Sequence, residues 1–269
     1  MNHLLDLDRE TIIIGGFGSD AVCVDRAAAN LSSVLPKQVV GIISREARKH
    51  LSHLAEYADG RNIIPYSGSA SIAAHIARRP DVTPASINFV SPPDRISRYG
   101  AVHGFVKSAL ARSNAAQNSE ERAVAQTGRF IREIASHPDN YYRLIHESRR
   151  FEQLAAAVSL KSLGIERVNL IIPRDDEMFS AYGISLDSDS DSEGVRYVVI
   201  DGGHTRFSND ASGVFLEAQS APYAVITEQT LSRDLPERIQ QTPTVSSALG
   251  ASVEALRAKV VRSRLAFSD

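Results

Sequence analysis

Short runs of aliphatic and β-branched residues recur along the first ninety positions. Each is followed by a small or polar turn and then by apolar residues at helical spacing. Thr11 to Ile14, Val39 to Ser44, Asn62 to Ile64 and Ser86 to Val90 predict four strands. Between them the pattern predicts a helix running to about Ser33 and a second over Arg45 to Tyr57, with Leu51, Leu54 and Ala55 inward. A third runs from a turn at Ser67–Ser69 to about Arg78, with Ile72, Ala73, Ile76 and Ala77 able to share a face. From about Asp94 to Leu163 the alternation stops. Two amphipathic helices are expected there, Arg122 to Ala135 and Tyr141 to Leu160, parted by His137-Pro138-Asp139-Asn140. Strands resume at Arg167 to Ile172 and Arg196 to Ile200, while Val214 to Leu216 and Ala224 to Thr227 are ambiguous. A basic helix is expected over Val253 to Leu265.

Strands that alternate with helices imply a parallel sheet with right-handed crossovers. The expected fold class is therefore α/β, a mostly parallel sheet flanked by helices, with an inserted helical segment. Residues 1–93 and 164–269 would form the core, and 94–163 the insertion. Such an insertion falls over the carboxyl ends of the strands, where ligands bind in open α/β sheets, and is a natural place for a lid.

Composition narrows the function classes. With 269 residues, 43% of them hydrophobic, the chain can bury one large core. A net charge of −2 gives no reason to expect nucleic acid or an anionic membrane as partner. No apolar run approaches the length of a membrane span, and MNHLLDLDRE carries acids where a signal peptide needs a basic and then apolar stretch. Cys23 is the single cysteine, which excludes an internal disulfide framework and points to a reducing, cytoplasmic setting. It falls in a predicted helix with no histidine paired to it, as a buried structural thiol would. No Cys/His metal spacing occurs, so neither a metal nor a cofactor is expected. The acidic run Ser185 to Glu193 lacks the glycine and terminal glutamate of a calcium loop and reads as solvated.

The candidate chemistry sits at strand ends. Asn62-Ile63-Ile64 turns through Ser67-Gly68-Ser69 into a helix, the geometry of a nucleophile elbow, where a hydroxyl is exposed beside free helix N–H groups. Three registers are open: Ser67 at the tip, Ser69 at the tip, or Gly68 at the tip with no nucleophile. Asp175 and Asp176 follow the strand ending at Ile172, and His204 follows the one ending at Ile200.

In this order, serine then aspartate then histidine, the chain resembles the α/β-hydrolase family from Thr11 to about Leu216. Gly15-Gly16-Phe17-Gly18-Ser19 looks like the family's oxyanion loop, with Gly15 where a histidine often stands. Pro173 to Phe179 resembles its acid loop, and Gly202-Gly203-His204-Thr205 its histidine loop. The segment 94–163 sits where the family inserts its cap. The resemblance implies a triad of Ser67 (or Ser69), Asp176 and His204. The backbone N–H groups of Phe17 and Gly68 would form the oxyanion hole. It implies cleavage of an ester, thioester or related carbonyl bond of a small molecule through an acyl-serine. Two departures stand out: Pro65 occupies a position where the family prefers glycine, and only about ten residues precede Thr11, so the family's N-terminal strand pair is missing or reduced.

The same triad could instead transfer the acyl group to an acceptor other than water, and two further functions compete. Gly16-Phe17-Gly18-Ser19-Asp20-Ala21 matches the G-x-G-x-x-A dinucleotide fingerprint, and Arg45 after the second strand could meet the 2′-phosphate of NADP. The fold could also serve as a non-catalytic binding module, which a Gly68 tip would suit.

Overall fold

The computed structural model describes residues 4–16, 19–94, 132, 135–148, 150–176, 194–229 and 231. Seven strands form one sheet among them: β1 (Thr11–Ile14), β2 (Val39–Ile42), β3 (Asn62–Pro65), β4 (Ser86–Val90), β5 (Arg167–Pro173), β6 (Val195–Ile200) and β7 (Tyr223–Ile226). Their order is β2-β1-β3-β4-β5-β6-β7. The first six are parallel, and β7 pairs antiparallel with β6. The expected mostly parallel sheet flanked by helices is thus the observed architecture.

Both faces are covered, which is why the strands read as near-continuous apolar runs. Successive side chains still go to opposite sides. Ile12, Ile14, Ile63, Phe89, Leu170 and Tyr197 join one core, with α2 (Ser44–Lys49), α3 (Leu51–Ala58), α4 (Ala70–Ala77) and α6 (Gln153–Ser162). Ile13, Ile64, Val90, Ile171 and Val198 join the other, with α1 (Ala21–Ser32), α7 (Arg206–Asn209) and α8 (Ala211–Ser220). Each fully buried aliphatic side chain contributes about 1.5–3 kcal/mol.

Three expectations are corrected. The helix expected over Arg45 to Tyr57 is two helices, α2 and α3, because His50 leaves helical geometry at φ −115° and ψ 35°. The helix expected over Tyr141 to Leu160 is also two, α5 (Pro138–Ser148) and α6, parted where Glu152 is extended. The two halves do different work. α5 packs on the turn that opens α4, whereas α6 packs on β5 as an ordinary crossover helix, burying Leu154, Ala157 and Leu160. The ambiguous segments resolve into α8, which contains Val214 to Leu216, and the edge strand β7. Cys23 lies on α1 and is only partly buried. Most of the expected 122–135 helix, the 185–193 run and the 253–265 helix lie outside the described residues.

The dinucleotide reading does not fit this sheet. In the Rossmann order 3-2-1-4-5-6 the first strand lies between the second and fourth, whereas here β1 lies between β2 and β3. Gly16, the first glycine of the fingerprint, and Gly15 before it serve packing. A Cβ on Gly15 would stand 2.4 Å from Val24 of α1, and one on Gly16 would stand 2.3 Å from the Tyr66 carbonyl oxygen.

Candidate active site

Tyr66 leaves β3 in an extended conformation, φ −105° and ψ 128°, and the chain then reverses through Ser67 at φ 56°. Positive φ in a residue with a Cβ costs roughly 1–3 kcal/mol and persists only where the surroundings enforce it. Ser67 therefore occupies the tip of the turn. Residues Ser67–Ser69 form a single 3-10 turn that runs into α4. The Gly68 N–H lies in that first turn, ahead of any helical carbonyl able to accept it. The enforcing contact comes from β1. A Cβ on Gly16 would stand 2.6 Å from the Ser67 Cβ, so only glycine lets the β1 loop approach the turn this closely.

Ser69 is not at the tip. Its backbone is helical, φ −75°, and its hydroxyl lies 2.7 Å from the carbonyl oxygen of Ile14 and 2.9 Å from that of Tyr66. That hydroxyl ties the turn to the end of β1.

The strand order brings the other two candidates to Ser67. β5 and β6 are neighbours, and their loops stay paired beyond the sheet: Arg174 N–H donates to the Ile200 carbonyl and Asp175 N–H to that of Gly202. Gly202, at φ 93°, turns the chain so that His204 comes back over the sheet. His204 Nε2 is 3.1 Å from Ser67 Oγ. His204 Nδ1 is 3.0 Å from Asp176 Oδ2 and 3.2 Å from Oδ1. Ser67 is 0%, His204 2% and Asp176 8% exposed. Asp175, by contrast, is exposed. Phe17 lies outside the described residues, and so does most of the expected cap.

One part of the site carries no signature in the sequence. Glu147, on α5, accepts from both terminal nitrogens of Arg48 on α2 and from the Ser71 hydroxyl on α4, at 2.6 Å. Burial opposes ionisation of this carboxyl, but the hydrogen bonds from Arg48 and Ser71 outweigh it and hold its pKa below the usual glutamate range. The contact spans residues 48, 71 and 147, which no local periodicity relates.

No protein-family model matches the sequence, and no curated protein sequence matches it. Solved structures do match. A bacterial membrane phospholipase A, described as a virulence factor, superposes with a TM-score of 0.51 at 14% identity, covering 79% of this chain and 77% of its own. A candidate lipase from Acinetobacter baumannii AYE gives 0.53 at 12% identity, covering 79% and 82%. A point variant of the meta-cleavage product hydrolase CumD gives 0.51 at 16% identity, covering 80% and 93%. At such identities the likeness speaks for the fold alone. Together with the strand order and the strained turn at the end of β3, it establishes that this chain has the α/β-hydrolase fold.

Proposed function

We propose that this protein is a serine hydrolase that cleaves an ester, thioester or related carbonyl bond of a small molecule, with Ser67 as nucleophile, His204 as base and Asp176 as its partner. The observation that carries this reading is the buried chain of contacts from Asp176 through His204 to a serine held at positive φ. A serine hydroxyl attacks a carbonyl carbon only as its proton leaves. His204 Nε2 takes that proton, and Asp176 accepts from Nδ1–H, which selects the required tautomer and stabilises the imidazolium. The resulting oxyanion accepts from the Gly68 N–H and, by the sequence pattern, the Phe17 N–H. One such donor contributes about 3 kcal/mol. The imidazolium then protonates the leaving group, and a water activated by His204 releases the acid and restores Ser67. The segment between β4 and β5, whose helix α5 packs on the Ser67–Ser69 turn, serves as a cap that limits water at the acyl-enzyme. A cytoplasmic location is part of the same proposal.

A fluorophosphonate probe followed by peptide mass spectrometry tests it. The expected result is an adduct on Ser67 that is absent in Ser67→Ala, much slower in His204→Ala, and formed in Ser69→Ala wherever that variant folds. A folded protein that labels at no serine would sink the mechanism and favour a non-catalytic binding protein.

A further inference from the structure

We propose that Tyr66 is a positioning residue that sets the orientation of the His204 ring, so that the residue before the nucleophile also holds the base. This rests on the triad assignment above for its catalytic consequence, but not for its geometry.

The histidine loop is pinned on either side of the histidine: the Gly202 carbonyl accepts from Asp175 N–H and the Gly203 carbonyl from Arg206 N–H. Between the end of β6 at Ile200 and His204 stand Gly202 and Gly203, the former at φ 93°. Two consecutive glycines carry no side chains, so contacts such as these, rather than local packing, set where the His204 peptide lies. Asp176 restrains one edge of the imidazole through Nδ1. Contacts at the Nδ1 and Nε2 edges leave rotation about the line joining Asp176 and Ser67 to be limited by what packs on the ring face.

Tyr66 restrains both the His204 peptide and the face of its ring. Its hydroxyl donates to the His204 backbone carbonyl at 2.6 Å, in a buried contact across 138 residues of sequence. Its ring lies against the imidazole, centroids 5.3 Å apart and planes inclined by 29°. The Phe207 ring of α7 packs on the same tyrosine, also at 5.3 Å. Tyr66 is 5% exposed, so neither contact competes with water. The hydroxyl fixes the peptide from which the side chain of His204 departs, and the ring face limits its rotation. Because Tyr66 is bonded to Ser67, any shift of the elbow carries the histidine restraint with it. The separation of Nε2 and Oγ is then kept from two directions.

The test pairs a spectroscopic signature with kinetics. Tyr66→Phe keeps the ring and removes the hydroxyl, and a thermal melt establishes that the variant is folded. The tautomer of His204 is read from imidazole nitrogen shifts in protein labelled with nitrogen-15 histidine. The wild type is expected to hold the Nδ1–H form, and Tyr66→Phe to show shifts averaged towards the other tautomer. With a p-nitrophenyl ester, kcat is expected to fall about tenfold with KM unchanged, the scale of one buried hydrogen bond used in orientation. In a His204→Ala background, Tyr66→Phe should remove nothing further. An unchanged tautomer signature in Tyr66→Phe overturns the proposal, whatever the rate does. So does a changed signature with kcat within twofold of an active wild type. If the wild type neither labels nor turns over, the hydrolase reading has failed. The signature alone then decides whether Tyr66 holds His204.

Discussion

Asp175 and Asp176 are adjacent in sequence and opposite in environment. Asp175 is exposed, and its N–H, rather than its carboxylate, takes part in the loop pairing, through the Gly202 carbonyl. Asp176 is buried and meets His204 Nδ1 with both oxygens. Asp176→Asn should lower kcat by about 10³–10⁴-fold, because an amide donor at that position stabilises the wrong tautomer. Asp175→Asn should leave kcat within about twofold. Steady-state rates on one activated ester compare the two. Gly16 is the second residue whose role is set by a single distance. A Cβ there would stand 2.3 Å from the backbone oxygen of Tyr66 at the Ser67 turn, which cannot rotate away as a side chain could. Gly16→Ala should therefore destabilise by about 1–3 kcal/mol in urea unfolding and slow fluorophosphonate labelling by at least tenfold. A variant as stable and as reactive as wild type would mean that the turn tolerates being pushed open.

At the scale of elements, α5 is tied to the elbow through a carboxylate. Glu147 joins it to α2 through Arg48 and to α4 through Ser71, and Ser71 in turn lies 3.3 Å from the Gly68 carbonyl. The hydrogen bonds that lower the Glu147 pKa favour the carboxylate in the folded state. The stabilisation is therefore complete above the unfolded value of 4.5 and lost as pH falls through the lower folded value. The stability difference between wild type and Glu147→Gln should be largest near neutral pH and shrink as pH is lowered below 4.5. Urea midpoints measured across that range check it, and a difference constant with pH would show that the carboxylate charge is not what holds α5. The Glu147 side chain is 36% exposed, so the effect is expected to be modest.

At the scale of the whole molecule, the carboxyl ends of the strands carry the site, and the opposite half of one sheet face is polar. Asn62 of β3, Ser86 and Asn88 of β4 and Asn169 of β5 point to the same side and are all buried. Ser86 donates to Asn62 Oδ1, Asn88 to Ser86, and Asn169 to Asn88 Oδ1, at 2.8–3.0 Å. The ladder ends on the segment before β1: Asp6 N–H donates to Asn62, and Asn62 and Asn169 donate to the carbonyls of Asp6 and Leu4. Leu4 and Leu5 bury beside it. This segment covers the sheet without forming a strand. Asn88→Ala breaks the middle of the ladder and should lower stability by about 1–3 kcal/mol. Labelling of Ser67 per folded molecule should not change, since the ladder's hydrogen bonds run to the segment before β1, away from the strand ends that carry the candidate site. Chemical unfolding and probe kinetics on the same sample separate the two effects.

The strands were legible because residues buried on both faces of a parallel sheet must be apolar throughout, and such runs stand out between polar turns. The sequence alone determined those strands and their alternation with helices. It also determined that a serine turn, an acid pair and a histidine each follow a strand, in the order Ser, Asp, His. Loops that leave the carboxyl ends of parallel strands open on one edge of the sheet. That these residues could meet was therefore implied before any contact was seen. Which serine forms the tip and which aspartate is buried were decided by the tertiary structure, because both depend on what packs against them: Gly16 on one side, His204 on the other. The breaks at His50 and Glu152, the Glu147 contact, the asparagine ladder and the hold of Tyr66 on His204 belong to the same class. Each joins residues far apart in sequence, or bends a helix to meet a neighbour. Local patterning records which residues can be buried, and only the assembled sheet decides what they are buried against.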